Sequence, residues 1–238
     1  MARERKMDDV LDVVELLLKE SNDFNKITMS DVSTQMGWPR STVINFIPNK
    51  ETLCAYLAFR GFDTLFGYLD RANAYGGQSR MKFVLVYIGN LLFTRLHPYQ
   101  YEAIFNFNTP ANKSSVDAEI VQLFNQKMLK VVSYIEGVIH EGIFKEEITM
   151  PPRMTPFDVA YFIWAGQYGV SSLIALSQTN TIEAGKKYRY FVRQSLDAWP
   201  WNPISSAINY DEETETIARE YFIEELKLLN EAGLKLTY

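Results

Sequence analysis

The pattern of apolar and polar residues along the chain is helical almost throughout. In the first predicted helix, residues 8–20, apolar side chains follow the i, i+3, i+4, i+7 spacing of one helix face. Residues 115–141 carry a longer stripe of this kind, and residues 81–96 are apolar nearly all round, which is typical of a helix buried inside a domain. No stretch shows the sustained alternation of a strand bounded by turn residues. The pattern therefore predicts an all-α fold. Further helices are predicted over residues 28–36, 40–46, 50–72, 99–107, 183–198 and 211–229, and from residue 155 onward.

The stretch from Thr28 to Leu53 predicts two short helices joined by a tight turn, with a third helix behind them. Thr28 is placed to cap the first helix, and Asp31 completes a variant of the capping box. Gly37 lies where this helix must end, because glycine adopts positive φ at little cost. Pro39 cannot continue the old helix but suits the start of the next. This is the pattern of a helix-turn-helix DNA reader.

The second short helix is the predicted recognition helix. Val43 and Ile47 are expected to face inward, which leaves Arg40, Ser41, Thr42 and Asn45 facing outward. A guanidinium can reach a guanine or a phosphate, and the shorter polar groups can form hydrogen bonds at close range. The alternative for each is a solvated surface residue.

This stretch resembles the DNA-binding domain of the TetR family of bacterial transcription regulators. The matching residues are Thr28, Val32, Gly37, the run Pro39-Arg40-Ser41-Thr42-Val43, Asn49, Lys50 and Leu53. The close match runs from Val10 to Leu53, and Lys50 matches the family's phosphate-contacting lysine. The resemblance implies a helix-turn-helix DNA-binding head over residues 1–54 and a larger helical ligand-binding and dimerisation body over residues 55–238. The predicted DNA-contact residues are Thr28, Arg40, Ser41, Thr42, Asn45 and Lys50.

The chain departs from the family at three positions of the recognition helix. The family usually has Tyr where this chain has Ile44, His or Tyr where it has Phe46, and Phe where it has Ile47. The family's Tyr touches a backbone phosphate, and Ile44 cannot make that hydrogen bond.

In function, the resemblance implies a transcription regulator, expected to be a repressor, that binds a palindromic double-stranded DNA operator as a homodimer. A small apolar or aromatic effector would release it. Residues expected to line the effector site are Tyr87, Asn90, Phe105, Phe124, Met128, Trp164, Gln167 and Tyr168, with plain core packing as the alternative. Small residues recur along the helix after Thr155 and allow another helix to approach closely. The resemblance implies that this helix takes part in a four-helix dimer interface, with close packing within one chain as the alternative. The small residues are Gly166, Gly169, Ser172 and Ala175.

Charge and composition modify this picture. The net charge of −5 does not favour a nucleic-acid partner, so DNA binding requires basic and acidic side chains to be segregated. The basic group is Arg3, Arg5, Lys6, Lys26, Arg40 and Lys50, and the acidic group to be kept away is Asp8, Asp9, Asp12 and Glu15. Residues 1–7 are predicted to be a basic arm that is either disordered or in contact with DNA.

The cysteine and histidine content argues against a disulfide-bonded protein and against a zinc protein. A single cysteine, Cys54, forms no intrachain disulfide, and with only two histidines there is no zinc motif, so a reducing cytoplasm is expected. No secretory signal is visible, and residues 159–182, although free of charge, are too polar for a membrane span. We expect no metal, cofactor or catalytic residue.

The sequence leaves two other functions open. One is an all-α ligand-binding or protein-interaction module that has lost DNA binding, which the net charge, Ile44 and Phe46 favour. The other is a helical enzyme, for which His97 and His140 offer no metal or triad spacing. The segment from Trp199 to Tyr210 is an unexplained insertion before the last helix.

Overall fold

The computed structural model describes residues 2–176, 190, 194, 201–202 and 210–233, and within them the chain is helical with no strand. The prediction of an all-α fold is confirmed. The helices are α1 (Ala2–Ser21), α2 (Met29–Met36), α3 (Arg40–Phe46), α4 (Lys50–Asn73), α5 (Ser79–Leu96), α6 (Pro98–Phe107), α7 (Pro110–Lys113), α8 (Ala118–Phe144), α9 (Pro156–Leu176) and α10 (Tyr210–Glu231), with a 3-10 turn at Phe24–Lys26.

The observed helices differ from the predicted ones most at the start of the chain and at Pro110–Lys113, and α8 lies three residues further along than predicted. Helix α1 begins at Ala2, so the residues predicted to form an arm continue the helix, because Arg, Glu, Lys and Met favour it. The sequence predicts a loop at Pro110–Lys113, whereas these residues form the short α7, capped by the Thr109 hydroxyl. Of the predicted helix 183–198, only Tyr190 and Gln194 are described, and both are helical.

The chain divides into two compact units, whose boundaries fall inside α4, between α5 and α6, and inside α8. Unit 1 comprises Met1–Phe62 and Pro98–Gln126, and unit 2 comprises Asp63–His97 and Lys127–Tyr238. Unit 1 holds the helix-turn-helix together with α6, which the sequence assigned to the body. The predicted functional boundary between residues 54 and 55 stays a prediction.

The centre of unit 2 is α5, which is buried along most of its length as its sequence predicts. At Gly89 a side chain would crowd Tyr68, since an added Cβ would lie 3.2 Å from the Cβ atom of Tyr68. Helix α10 packs beside α5 and is kinked at the fully buried Phe222, whose φ of −134° and ψ of 31° leave the helical region. The charged Lys82 is buried on α5 and its ammonium lies 2.5 Å from a carboxylate oxygen of Glu141. In the described part of the chain, no helix is both long and apolar enough to cross a membrane.

Two glycines with open space around them provide a test of the turn between α2 and α3. Gly37 has a φ of +65°, whereas Gly67 is helical, and an added Cβ would meet no atom within 4 Å at either position. We expect Gly37→Ala to destabilise unit 1 by about 1 kcal/mol, because an L side chain is strained at positive φ. Gly67→Ala should instead stabilise the protein by about 0.5–1 kcal/mol, since alanine favours a helix. Urea unfolding of the two variants measures both effects. Equal shifts of the same sign would contradict the backbone argument.

Candidate nucleic-acid interface

The start of α2 is a complete capping box, as predicted. The Thr28 hydroxyl accepts a hydrogen bond from the Asp31 backbone N–H at 3.2 Å and donates one to the Asp31 carboxylate at 2.8 Å. The same carboxylate accepts the Thr28 backbone N–H at 2.8 Å. These hydrogen bonds to Thr28 hold the pKa of Asp31 below its usual value. Thr28 therefore has a structural role at the start of α2, and its predicted contact with DNA stays a prediction.

The turn between α2 and α3 is held by glycine geometry and by hydrogen bonds. Gly37 is left-handed at φ 65° and ψ 22°, and its N–H donates to carbonyls at the end of α2. The Trp38 N–H donates to the Ser33 carbonyl at 3.1 Å, and the Ser33 hydroxyl donates back to the Trp38 carbonyl at 2.7 Å. The turn thus has a defined geometry, which sets the position of α3 against α2.

Helix α3 has the two faces that its sequence predicts. Val43 and Ile47 are fully buried. Phe46 is half-buried with its ring edge-on to Trp38, the centroids 6.3 Å apart. The opposite face is exposed and carries Arg40, Ser41, Thr42 and Asn45, together with the flanking Ile44. The structure therefore brings the four predicted recognition residues onto one accessible surface.

Helix α4 begins with two residues that connect it to other parts of unit 1. The Asn49 side chain caps α4 by accepting the Thr52 backbone N–H at 2.7 Å, and it also donates to the Ser115 carbonyl at 2.9 Å. The Lys50 ammonium donates to the Asn25 carbonyl at 2.9 Å and lies 5.0 Å from the centre of the Phe24 ring. Burial lowers the pKa of Lys50, against the opposing influence of nearby acids. Lys50 would have to share its ammonium with Asn25 if it contacts a phosphate.

Three acidic residues of α1 contact one arginine, an arrangement that the sequence pattern did not show. The Arg60 guanidinium on α4 lies 2.6 Å from the Asp12 carboxylate, 3.3 Å from that of Asp8 and 3.4 Å from that of Glu15. Gln100 also donates a hydrogen bond to Glu15 at 3.0 Å. These three acids of α1 are therefore gathered around one arginine, which reduces the local repulsion of a phosphate backbone.

The residues predicted to bind an effector are divided between the two units. Phe105 and Phe124 belong to unit 1, where the Phe124 ring packs against Phe62 and Phe107 with centroids 5.3 and 4.9 Å away. The others belong to unit 2, and they are Tyr87, Asn90, Met128, Trp164, Gln167 and Tyr168. Tyr87 and Gln167 are buried, and the Asn90 amide lies 3.5 Å from the Ser171 hydroxyl. All eight ligand roles stay predictions.

The small residues predicted to form a dimer interface are partly covered within the chain. Ser172 is buried, and its hydroxyl donates to the Tyr168 carbonyl at 2.7 Å. Gly166 and Gly169 are both half-buried, while the side chain of Ala175 lies outside the described residues. Helix α9 instead exposes a row of large aromatic side chains at Phe157, Tyr161 and Phe162. The sequence analysis missed these residues, although the spacing of four places Phe157 and Tyr161 on one side of a helix. Phe162 lies about a quarter turn further round α9.

The insertion before α10 is anchored at one point. Trp201 is buried against Phe83, the ring centroids 5.5 Å apart, and its backbone forms an isolated bridge with Ile148. The Asn202 amide group donates to the Glu146 carbonyl at 2.9 Å, and its backbone N–H donates to the Glu147 carbonyl at 2.9 Å. Trp201 and Asn202 therefore belong to the packed part of unit 2. The rest of the insertion, apart from Tyr210, lies outside the described residues.

The single cysteine, Cys54, is buried in unit 1. Burial raises the pKa of the Cys54 thiol to about 12, with Glu102 and Glu51 adding to the shift, so this cysteine is a poor nucleophile. In the described residues, no group of three or more His, Cys, Asp or Glu side chains is arranged to hold a metal ion.

Comparison with known proteins identifies the fold. No protein-family model matches the sequence, and no curated protein does. Solved structures do match: a TetR/AcrR-family regulator from Thermobifida fusca has a TM-score of 0.62 at 11% identity, covering 82% of this chain and 98% of that one. PfmR from Thermus thermophilus, a TetR-family regulator, has a TM-score of 0.60 at 8% identity, covering 80% and 98%. The chain has the TetR-family fold. FadR from Bacillus subtilis, a transcriptional regulator solved in complex with stearoyl-CoA, matches this fold with a TM-score of 0.59 at 12% identity, covering 79% and 96%.

The capping box of α2 predicts how unit 1 responds to pH. Because the pKa of Asp31 is lowered in the folded protein, its contribution to stability is present above the unfolded value of about 3.9 and is lost as pH falls through the lower folded value. We expect Thr28→Val to raise the Asp31 pKa toward its ordinary value, as measured by NMR titration. Thr155 and Asp158 form an equivalent box at the start of α9, and that carboxylate should be unaffected. An unchanged Asp31 titration in the variant would contradict the assignment.

Proposed function

We propose that the protein is a TetR-family transcription regulator that binds double-stranded DNA through α2 and α3. The observation that carries this proposal is the exposed face of α3, where Arg40, Ser41, Thr42 and Asn45 project together from a helix held by buried Val43 and Ile47. A helix of this kind enters the major groove of B-DNA, where such side chains reach base edges. The shared TetR fold supports the proposal at the level of architecture.

A module that has lost DNA binding is the second candidate. The net charge of −5 and the use of the Lys50 ammonium within unit 1 favour it. The two functions differ in the salt dependence of any affinity for DNA, because each neutralised phosphate steepens the fall of affinity with salt concentration.

We also propose that the regulator is a homodimer paired through α9. The exposed aromatic side chains of Phe157, Tyr161 and Phe162 are a large apolar surface for one helix, and burial against a second copy would remove it from water. Gly166 and Gly169, further along α9, have no Cβ, so a second helix can approach the α9 backbone closely there. A two-fold dimer would present its recognition helices to the half-sites of a palindrome one turn, or about 34–36 Å, apart.

The effector is proposed to be a small apolar or aromatic molecule held by unit 2, and the protein is proposed to repress until this molecule binds. Support comes from the aromatic and polar side chains gathered there at Trp164, Gln167 and Tyr168, and from the stearoyl-CoA held by the FadR neighbour. A compound that leaves the affinity for operator DNA unchanged at saturation is not this effector. Because the regulator would act on DNA, we propose that it works in the cytoplasm and carries out no catalysis.

The direct test of DNA binding is selection from random double-stranded DNA with the full-length protein. A regulator selects a palindromic sequence, and its affinity for that sequence falls steeply as salt concentration rises. If no sequence is enriched and no salt-dependent binding is measured, the protein is not a DNA-binding regulator.

Replacement of Arg40 tests the recognition helix itself. We expect Arg40→Ala to weaken binding to the selected sequence by about 1–3 kcal/mol, because the exposed guanidinium is the longest donor on α3. Fluorescence anisotropy with labelled DNA measures the change. Arg153→Ala is the matched control, since this exposed arginine lies in unit 2. Equal affinities for both variants and the wild type would rule out α3 as the reading element.

Replacement of Phe162 tests the dimer. Phe162 is 68% exposed on α9 and Phe144 is 88% exposed on α8, so neither replacement disturbs the core. We expect Phe162→Glu to convert a dimer to monomers in analytical ultracentrifugation, because it buries a charge at the interface. Phe144→Glu should leave the dimer intact. A Phe162→Glu protein that stays dimeric would place the interface elsewhere.

A further inference from the structure

One side chain on the exposed surface of α3 has no polar chemistry to offer. Ile44 is 37% exposed, and among the large hydrophobic side chains described on α2 and α3 it is the one that solvent reaches most. It lies on α3 four residues after Arg40 and three after Ser41, so it shares a side of the helix with both. Phe46, two residues later, is half-buried with its ring edge-on to Trp38, and is therefore less exposed than Ile44.

The packing of α3 prevents Ile44 from turning inward. Val43, directly before Ile44 in the chain, and Ile47, three residues after it, are both fully buried. A rotation that hid Ile44 would expose one of these two side chains and lose the burial that holds the helix. Ile44 therefore remains at the surface that carries the recognition residues.

The major groove of DNA presents one apolar group to a protein. Guanine, adenine and cytosine offer donors and acceptors at that edge, whereas thymine adds a C5-methyl group. An isoleucine placed against a thymine methyl removes two apolar surfaces from water. Placed against the cytosine edge, it would cover the N4 amino group without supplying an acceptor, which is unfavourable.

We propose that Ile44 is a specificity-determining residue that reads a thymine methyl group in the major groove of the operator. The proposal rests on the proposed DNA-binding function and adds the base that this position selects. Ile44 is branched at Cβ and therefore stiff, so it presents a fixed shape to the methyl group. The position favours a T·A pair by apolar contact, alongside the hydrogen-bonding residues Arg40, Ser41, Thr42 and Asn45.

The experiment replaces thymine by deoxyuridine, one position at a time, in both half-sites of the DNA selected by the full-length protein. Uracil keeps every donor and acceptor of thymine and lacks only the C5-methyl group. At the position that Ile44 is proposed to contact, we expect deoxyuridine to weaken wild-type binding about fourfold per half-site, because the buried methyl group is lost. Fluorescence anisotropy measures this affinity. Ile44→Ala should bind the thymine-containing DNA more weakly and should show no further loss with deoxyuridine at that position.

Leu16→Ala is the matched control, because Leu16 is also a large aliphatic side chain of unit 1, 43% exposed, but on α1. This variant should keep the wild-type response to deoxyuridine. Thermal unfolding of Ile44→Ala checks that the fold is unaffected. The proposal is overturned if the selected half-site has no invariant T·A pair, if no deoxyuridine position weakens wild-type binding, or if Ile44→Ala keeps the wild-type response. Failure of the selection itself would instead contradict the DNA-binding function.

Discussion

The burial of Val43 and Ile47 determines which side of α3 faces solvent. Val43 lies within the helix and Ile47 directly after its end, and full burial of both restricts the rotation of α3 about its axis. Arg40, Ser41, Thr42 and Asn45 are exposed as a consequence. The surface that α3 offers to a partner depends on this rotation, because a helix turned by a quarter would present Phe46 instead.

The neighbouring elements hold α3 by polar contacts that reinforce this packing. On one side, the left-handed Gly37 and the paired hydrogen bonds of Ser33 and Trp38 define the turn from α2. On the other, Asn49 caps α4 and also donates to the Ser115 carbonyl in the segment before α8. A movement of the segment around Ser115 would therefore displace Asn49, which caps α4 and lies three residues after the end of α3.

The helix-turn-helix could be predicted from sequence because its signals are local. Thr28 and Asp31 are three residues apart, and Gly37 and Pro39 each impose a backbone conformation by themselves. The partners of Lys50 and Arg60 could not be predicted, since they come from 25 to 52 residues away and depend on how helices pack. The aromatic surface of α9 was missed for a different reason. An aromatic residue at helical spacing has the same sequence signal whether it enters a core or remains exposed.

Ile44 argues against DNA binding when only the sequence is considered, because the sequence does not show what surrounds this side chain. In the sequence it replaces a tyrosine that would contact a phosphate, and a phosphate contact adds affinity for any DNA. In the structure it is an exposed apolar group beside the recognition residues, and an apolar contact in the major groove adds affinity only where a thymine methyl is present. If the protein binds DNA as proposed, the exchange of one contact for the other would lower non-specific binding and retain specific binding. For a protein of net charge −5, whose Lys50 donates to the Asn25 carbonyl, such a shift would concentrate the affinity for the proposed operator on its bases.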